Sequence, residues 1–168
     1  MEAAAEGFAR RDAAGQGFGA PSPPGSVQET VAGATIEVHY SRPAVRGRDI
    51  WGGLVPWDEV WRTGANAATT FSSDHDLVFG EGVGVPAGEY TLWTTFTSSQ
   101  GTLIINSQTG QWGTAYDESR DFVRVPLEME TLQSPVERFT ISVEPTGDGG
   151  RLALAWADRV YSVPFQVR

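Results

Sequence analysis

Residues 34–41 read ATIEVHYS, an alternation in which Ile36, Val38 and Tyr40 face one way and Thr35, Glu37 and His39 the other. A period of two with apolar residues on one side is the signature of a half-buried strand. The pattern recurs along the chain. It predicts further strands at 67–72, 75–79, 89–97, 101–106, 121–128, 136–144, 151–157 and 160–167. Turn signals lie between them: GEGVG at 80–84, PAG at 86–88, SQTGQ at 107–111 and PTGDGG at 145–150. Phe139, Ile141 and Val143 form the inward face of one strand, and Leu152, Leu154 and Trp156 that of the next. Many short strands with Gly and Pro turns predict an all-β fold, a single antiparallel β-sandwich of about 8–10 strands.

Downstream of this strand, residues 40–70 read YSRPAVRGRDIWGGLVPWDEVWRTGANAATT. The stretch holds Trp51, Trp57 and Trp61 together with Arg42, Arg46, Arg48 and Arg62. A loop this rich in Trp, Arg and Gly is expected to be ordered and packed. Pro56 followed by Trp57, Val60 and Trp61 has the proline-first start and spacing of one helical turn. The arginines have two readings. Guanidinium forks clamp carboxylates or phosphates, so Arg42, Arg48 and Arg62 are candidates for an anion site. Alternatively they brace the loop, pairing with Asp49, Asp58 or Glu59 and stacking on Trp51, Trp57 or Trp61. Bracing predicts that each is satisfied internally; ligand binding predicts unpaired groups. Asn66 sits in a turn-like Thr63–Asn66 run, with a ligand contact as its second reading.

Composition bounds the rest. A chain of 168 residues with 40% hydrophobic and 20% charged residues is most simply one globular domain. No window approaches the roughly 18 apolar residues of a membrane span. The net charge of -9 argues against general nucleic-acid binding, which neutralises phosphates with Lys and Arg. Cysteine is absent, which excludes disulfides and thiolate chemistry. Residues 1–25, MEAAAEGFARRDAAGQGFGAPSPPG, are compositionally separate. Their Ala, Gly and Pro content cannot build a core, so they predict a flexible or partner-docked arm ahead of a domain at 26–168. Within the arm, Phe8 and Phe18 are the candidate anchors and Arg10 and Arg11 the charged contacts for a partner. From Met1 onward no basic and then apolar leader is seen, so the expected location is cytoplasmic or peripheral to a membrane.

Catalytic patterns are thin: no GxSxG elbow, no phosphate-binding GxxxxGK[ST] loop and no HExxH. Of two histidines, His39 alternates within a strand. Asp74-His75-Asp76 carries metal-ligand chemistry, but an extended backbone turns His75 away from both carboxylates. It reads as a solvated turn. No catalytic residue, metal or cofactor is assigned. Each tryptophan is expected to serve packing, with Trp112, between Gly110 and Gly113, as the best candidate for an exposed ring beside Tyr116.

These residues together resemble the bacterial domain of unknown function 2911. The resemblance rests on Tyr40-Ser41-Arg42-Pro43, on Gly47-Arg48 with Ile50 to Pro56, and on Val60 to Asn66 with Ala68-Thr69-Thr70. It continues through Pro86 to Tyr90, Ile105-Asn106, Gln111-Trp112-Gly113, Tyr116-Asp117 and Leu152 to Trp156, covering about residues 26–167. It implies a secreted or envelope β-sandwich behind a signal peptide, with no agreed enzymatic role, and so a periplasmic or secreted location as the alternative. The arm in place of a signal suggests a member recruited to a partner.

Two functions are therefore expected. The first is a non-enzymatic accessory subunit docked through its arm on a larger protein assembly, membrane complexes included. The alternative is a carbohydrate- or small-anion-binding module using Arg42, Arg48, Arg62, Asn66, Trp112 and Tyr116. A hydrolase built on Asp74, His75, Asp117 or Asp121 with Arg62 or Asn66 is the least favoured.

Overall fold

The computed structural model describes residues 22–65, 68–109 and 116–168. The anchors proposed in the arm, together with Asn66 and Trp112, lie outside the described residues. The described residues form nine antiparallel strands: β1 Pro24–Val31, β2 Ala34–Ser41, β3 Thr69–Ser73, β4 Leu77–Phe79, β5 Val83–Val85, β6 Gly88–Phe96, β7 Gly101–Asn106, β8 Asp121–Thr146 and β9 Gly149–Val167. A short 3-10 turn, Glu118–Arg120, precedes β8.

The fold is all-β, as expected, but its two layers belong to one hydrogen-bonded sheet, in the order β1-β2-β3-β6-β7-β8-β9-β4-β5. β8 makes this possible. Its first part, Asp121 to Leu127, pairs with β7. Its remainder, Glu128 to Thr146, pairs with β9. The long strand thus passes from one layer into the other, and the apolar faces of both meet in one core. Ile36, Val38, Phe71, Leu92 and Leu103 from the first layer join Phe79, Phe139, Ile141, Leu154 and Trp156 from the second. Ring contacts cross the interface: Tyr40 meets Phe139 at 5.8 Å and Phe71 meets Phe79 at 6.0 Å.

The predicted β2 boundaries agree with the structure, and Ile36, Val38 and Tyr40 are buried. Four predicted strands are two long ones, because the irregular stretches between them stay extended instead of turning. β1 and β5 were not predicted. β1 starts at Pro24, inside the segment assigned to the arm, and pairs along its whole length with β2 through the Ala32-Gly33 turn. Its sequence, PGSVQETV, has only two large apolar residues, so pairing rather than pattern makes it a strand.

The expected helical turn at Pro56–Trp61 does not form. β3 pairs with β6 only from Gly88 to Leu92, leaving the rest of that β6 edge open. The signature loop, the Trp- and Arg-rich run within residues 40–70, fills it: Asp58 N–H donates to the Phe96 carbonyl at 2.8 Å, and Trp61 exchanges bonds with Thr94 at 2.7 and 3.0 Å. Backbone groups that would be costly to leave unpaired outweigh the local preference for a turn.

A second open edge is filled the same way. β8 and β9 lose register between Thr131 and Val136 and again between Val136 and Thr140. Residues 43–45 run along β8 there, with Phe139 N–H donating to the Pro43 carbonyl at 2.9 Å and Val45 N–H to the Glu137 carbonyl at 2.8 Å. Trp61 stacks on Trp156 above this break, 5.8 Å between centroids and 15° between planes, with Phe139 edge-on to Trp61 at 5.1 Å. Trp51 donates to the Trp156 carbonyl and Trp156 to the Glu137 carbonyl, each at 3.1 Å. Gly52 and Gly53 allow the tight turn beneath: a Cβ on the first would strike the Trp57 ring, and one on the second the Asp49 carbonyl.

Trp156→Ala should therefore cost about 3–5 kcal/mol, since it removes a fully buried ring and the stacking partner of the loop. Urea denaturation checks this. A loss under about 1 kcal/mol would mean that the loop is not held by its aromatic contacts.

Candidate functional site

The signature loop, laid over the register break, leaves a cleft of about 420 Å³ beside it. Arg46, Arg48, Arg62 and Arg138 line it, with Glu137 as the one acidic residue among the described lining. Pro43, Ala44, Leu54, Trp61 and Ala65 supply its apolar surface. Four guanidinium groups against one carboxylate make this a local positive field in a chain of net charge -9.

The arginines divide between the two expected roles. Arg42 braces: its Nε donates to the Phe139 carbonyl at 3.1 Å and its Nη2 to Thr140 Oγ1 at 3.0 Å. Arg48 also braces, donating to the Val45 carbonyl at 3.0 Å and the Ala44 carbonyl at 2.6 Å. Both use backbone carbonyls and a hydroxyl rather than the expected Asp49, Asp58 or Glu59. Among the described residues, the cation over a loop tryptophan is Arg159, from β9, 5.4 Å above Trp57. Arg138 donates to the Arg42 carbonyl at 3.3 Å, which ties β8 to the loop.

Arg46 and Arg62 differ. Among the described residues neither guanidinium has a hydrogen-bond, ion-pair or ring partner. Arg46 has its backbone in the left-handed region at φ 53°, with its N–H held by Glu137 Oε2 at 3.0 Å. Arg62 is half-buried and its backbone is fixed on both sides. Trp61 before it is bonded to Thr94, and Thr63 after it, at φ 57°, is fully buried. Thr63 Oγ1 lies 3.1 Å from Thr94 Oγ1, and the Thr63 carbonyl accepts from Thr69 Oγ1 at 2.7 Å. Non-glycine residues at positive φ persist where the surroundings over-determine them, and they collect at ligand sites.

The other expected groups do not join this cleft. Tyr116 belongs to a separate apolar cluster with Trp93, Ile104 and Ala68, its ring 4.9 Å from Trp93. Its phenol donates to Asp121 Oδ2 at 2.5 Å, and Arg124 donates to the same oxygen at 3.0 Å. Asn106 completes the knot, donating to Asp121 Oδ1 at 2.9 Å. Burial, with the Asp121 carboxylate beside it, pushes the Tyr116 phenol up to about 12. Asp117 caps the 3-10 turn through Ser119, and those bonds lower its pKa.

Asp74 and His75 bond each other at 2.8 Å in the turn after β3, where Asp74 also accepts from Thr35 N–H at 2.8 Å. Asp76 is held apart from them, accepting from Ala87 N–H. Among the described residues no group of three metal-ligating side chains converges. A second cavity of about 430 Å³ adjoins Arg48 and holds Asp49, Asp158 and Arg159. Its charges balance, and Arg159 is already bonded to the Ser98 carbonyl and to Tyr161.

Sequence reasoning singled out Arg48 and Arg62 but missed Arg138, Glu137 and Leu54. The first two lie on a strand about 75–90 residues beyond Arg48 and Arg62, and no local pattern links them to the loop. Arg46 was visible in the arginine run but carried no mark of its left-handed backbone. The profile of the family described as "Protein of unknown function (DUF2911)" matches residues 22–165. No curated protein and no solved structure matches the chain.

The Tyr116 knot makes a pH prediction. A phenol ordinarily titrates at about 10, so between that value and about 12 the folded state keeps a proton that the unfolded chain has lost. Stability should fall as pH rises through that window and be untouched by this group below it. In a spectrophotometric titration, Asp121→Asn should lower the Tyr116 pKa only part of the way to 10, because burial remains. An unchanged value would show that the carboxylate contributes nothing.

Proposed function

The chain belongs to the DUF2911 family, and on that footing we propose that its β domain is a non-enzymatic binding module that takes a small anion in the arginine cleft. One observation carries the reading. Arg62 is half-buried on a backbone fixed at both neighbours, and among the described residues its guanidinium has no partner. A cation that a fold partly desolvates is ordinarily paired. An arriving carboxylate or phosphate would supply the missing acceptor, bidentate on the guanidinium fork. Arg46 offers a second such group, while Arg48 and Arg138, tethered to carbonyls, add charge without free rotation.

The carbohydrate version of this reading depends on Trp112, outside the described residues. Within the cleft, Trp61 is only 8% exposed and its face lies on Trp156, so no open ring is offered for a sugar. The accessory-subunit reading keeps a separate support. The segment with Phe8, Arg10, Arg11 and Phe18 leads directly into β1, the strand at which the sheet order ends. A docked arm there would extend from the edge of the domain into a partner assembly.

Isothermal titration of the full chain with inorganic phosphate and with acetate tests the anion reading. Arg62→Gln should weaken binding by about tenfold or more, the loss of a charge-assisted pair. Its unfolding free energy should stay within about 0.5 kcal/mol, because among the described residues no hydrogen bond or ion pair is removed. Equal binding by the variant would overturn the assignment. For the second reading, the native protein is isolated in mild detergent. A stoichiometric partner that is lost when residues 1–25 are deleted supports docking, and a clean monomer sinks it.

A further inference from the structure

The lining of the cleft is apolar as well as cationic, and its apolar part has a defined local structure. Leu54 is 44% exposed, one of three large hydrophobic side chains so exposed among the described residues, and it lines this cleft. Its position does not come from a loose loop. Leu54 N–H donates to the Asp49 carbonyl at 3.0 Å, Val55 N–H to the Ile50 carbonyl at 2.8 Å, and Gly52 N–H to the Val55 carbonyl at 2.9 Å. Val55 and Ile50 are buried beneath it. A tight, hydrogen-bonded turn thus holds an aliphatic side chain, part of its surface exposed, in the lining of the cationic cleft.

Size points the same way. A cavity of about 420 Å³ falls in the range of about 300–1,000 Å³ typical of sites for organic ligands. One water accounts for about 30 Å³ of liquid, so an inorganic ion of five heavy atoms would leave most of this space wet. The lining combines both chemistries: Arg46, Arg62 and Arg138 with Leu54, Pro43, Ala44 and Ala65. The face of Trp61 lies against Trp156, so the apolar wall offers aliphatic contact rather than ring stacking.

Building on the anion reading above, we propose that the ligand class is an amphiphilic organic anion. Its carboxylate or phosphate head meets Arg62 and Arg46, and an apolar body about the size of one aromatic ring packs on Leu54. The head supplies the acceptors that these guanidinium groups lack among the described residues, and the body removes Leu54 from water. No bond is made or broken.

The test compares matched pairs by isothermal titration on the full chain: phenyl phosphate with inorganic phosphate, and phenylacetate with acetate. In at least one pair the aromatic member should bind about tenfold or more tightly. Leu54→Asn, at an exposed position where folding is not at stake, should erase most of that difference while leaving the simple ion's affinity unchanged. Arg62→Gln should weaken both members of the pair. Equal affinity within both pairs, or a preference that survives Leu54→Asn, overturns this inference and leaves the anion site standing. Binding by none of the four probes overturns the inference and the anion reading together.

Discussion

Where β8 and β9 fall out of register, the sheet has a gap in its ladder, and the stacking of Trp61 on Trp156 closes it. Everything distinctive about the molecule depends on that contact. Beside the break, residues 43–45 bond the backbone of β8 at Glu137 and Phe139. The same loop returns at 58–61 to complete the exposed edge of β6. It is thereby sewn to both layers of the fold. The aromatic stack fills the space between its two attachments, and three indole rings with the rings of Phe96, Phe139 and Tyr161 make a continuous wall. Without that wall the loop's backbone would have no reason to prefer the sheet edges over water.

The consequence is a division of labour among chemically identical side chains. Arg42 lies where the loop leaves β2 and finds the Phe139 carbonyl and Thr140 within reach. Arg48 curls onto carbonyls of its own turn. Arg62 is bracketed by residues whose own bonds point to Thr94 and Thr69, and among the described residues its guanidinium has no hydrogen-bond partner. The difference is positional. A guanidinium becomes a brace where carbonyls lie within its reach, as at Arg42 and Arg48.

A polar knot of a different kind holds the opposite layer. Asp121 collects donors from Tyr116, Arg124 and Asn106, and the Tyr116 ring covers Trp93. This secures the bulge between β7 and the start of β8, where register shifts at Asn106. Each irregularity in the ladder is thus matched by a side-chain cluster: aromatic at the β8–β9 break, ionic at the β7–β8 bulge.

Strand character was legible wherever apolar residues alternate, as in Thr35 to Tyr40, Phe139 to Val143 and Leu152 to Trp156, because a strand's two faces meet different solvents. The family likeness was legible in the Trp-Gly-Gly and Trp-Arg-Thr-Gly runs, whose residues are demanded by close packing. Other features were settled only by contacts distant in the chain. Pro56 to Trp61 has the local pattern of a helical turn, yet an open β6 edge some 35 residues away draws it into extended pairing. β1 has scarcely any pattern and exists through β2. Arg138 and Glu137 face the loop only because β8 carries them across from one layer to the other. Local periodicity follows from the chain's own geometry. Which acceptors remain for a given arginine follows from every other element that has already taken its share, and that is a property of the assembled fold.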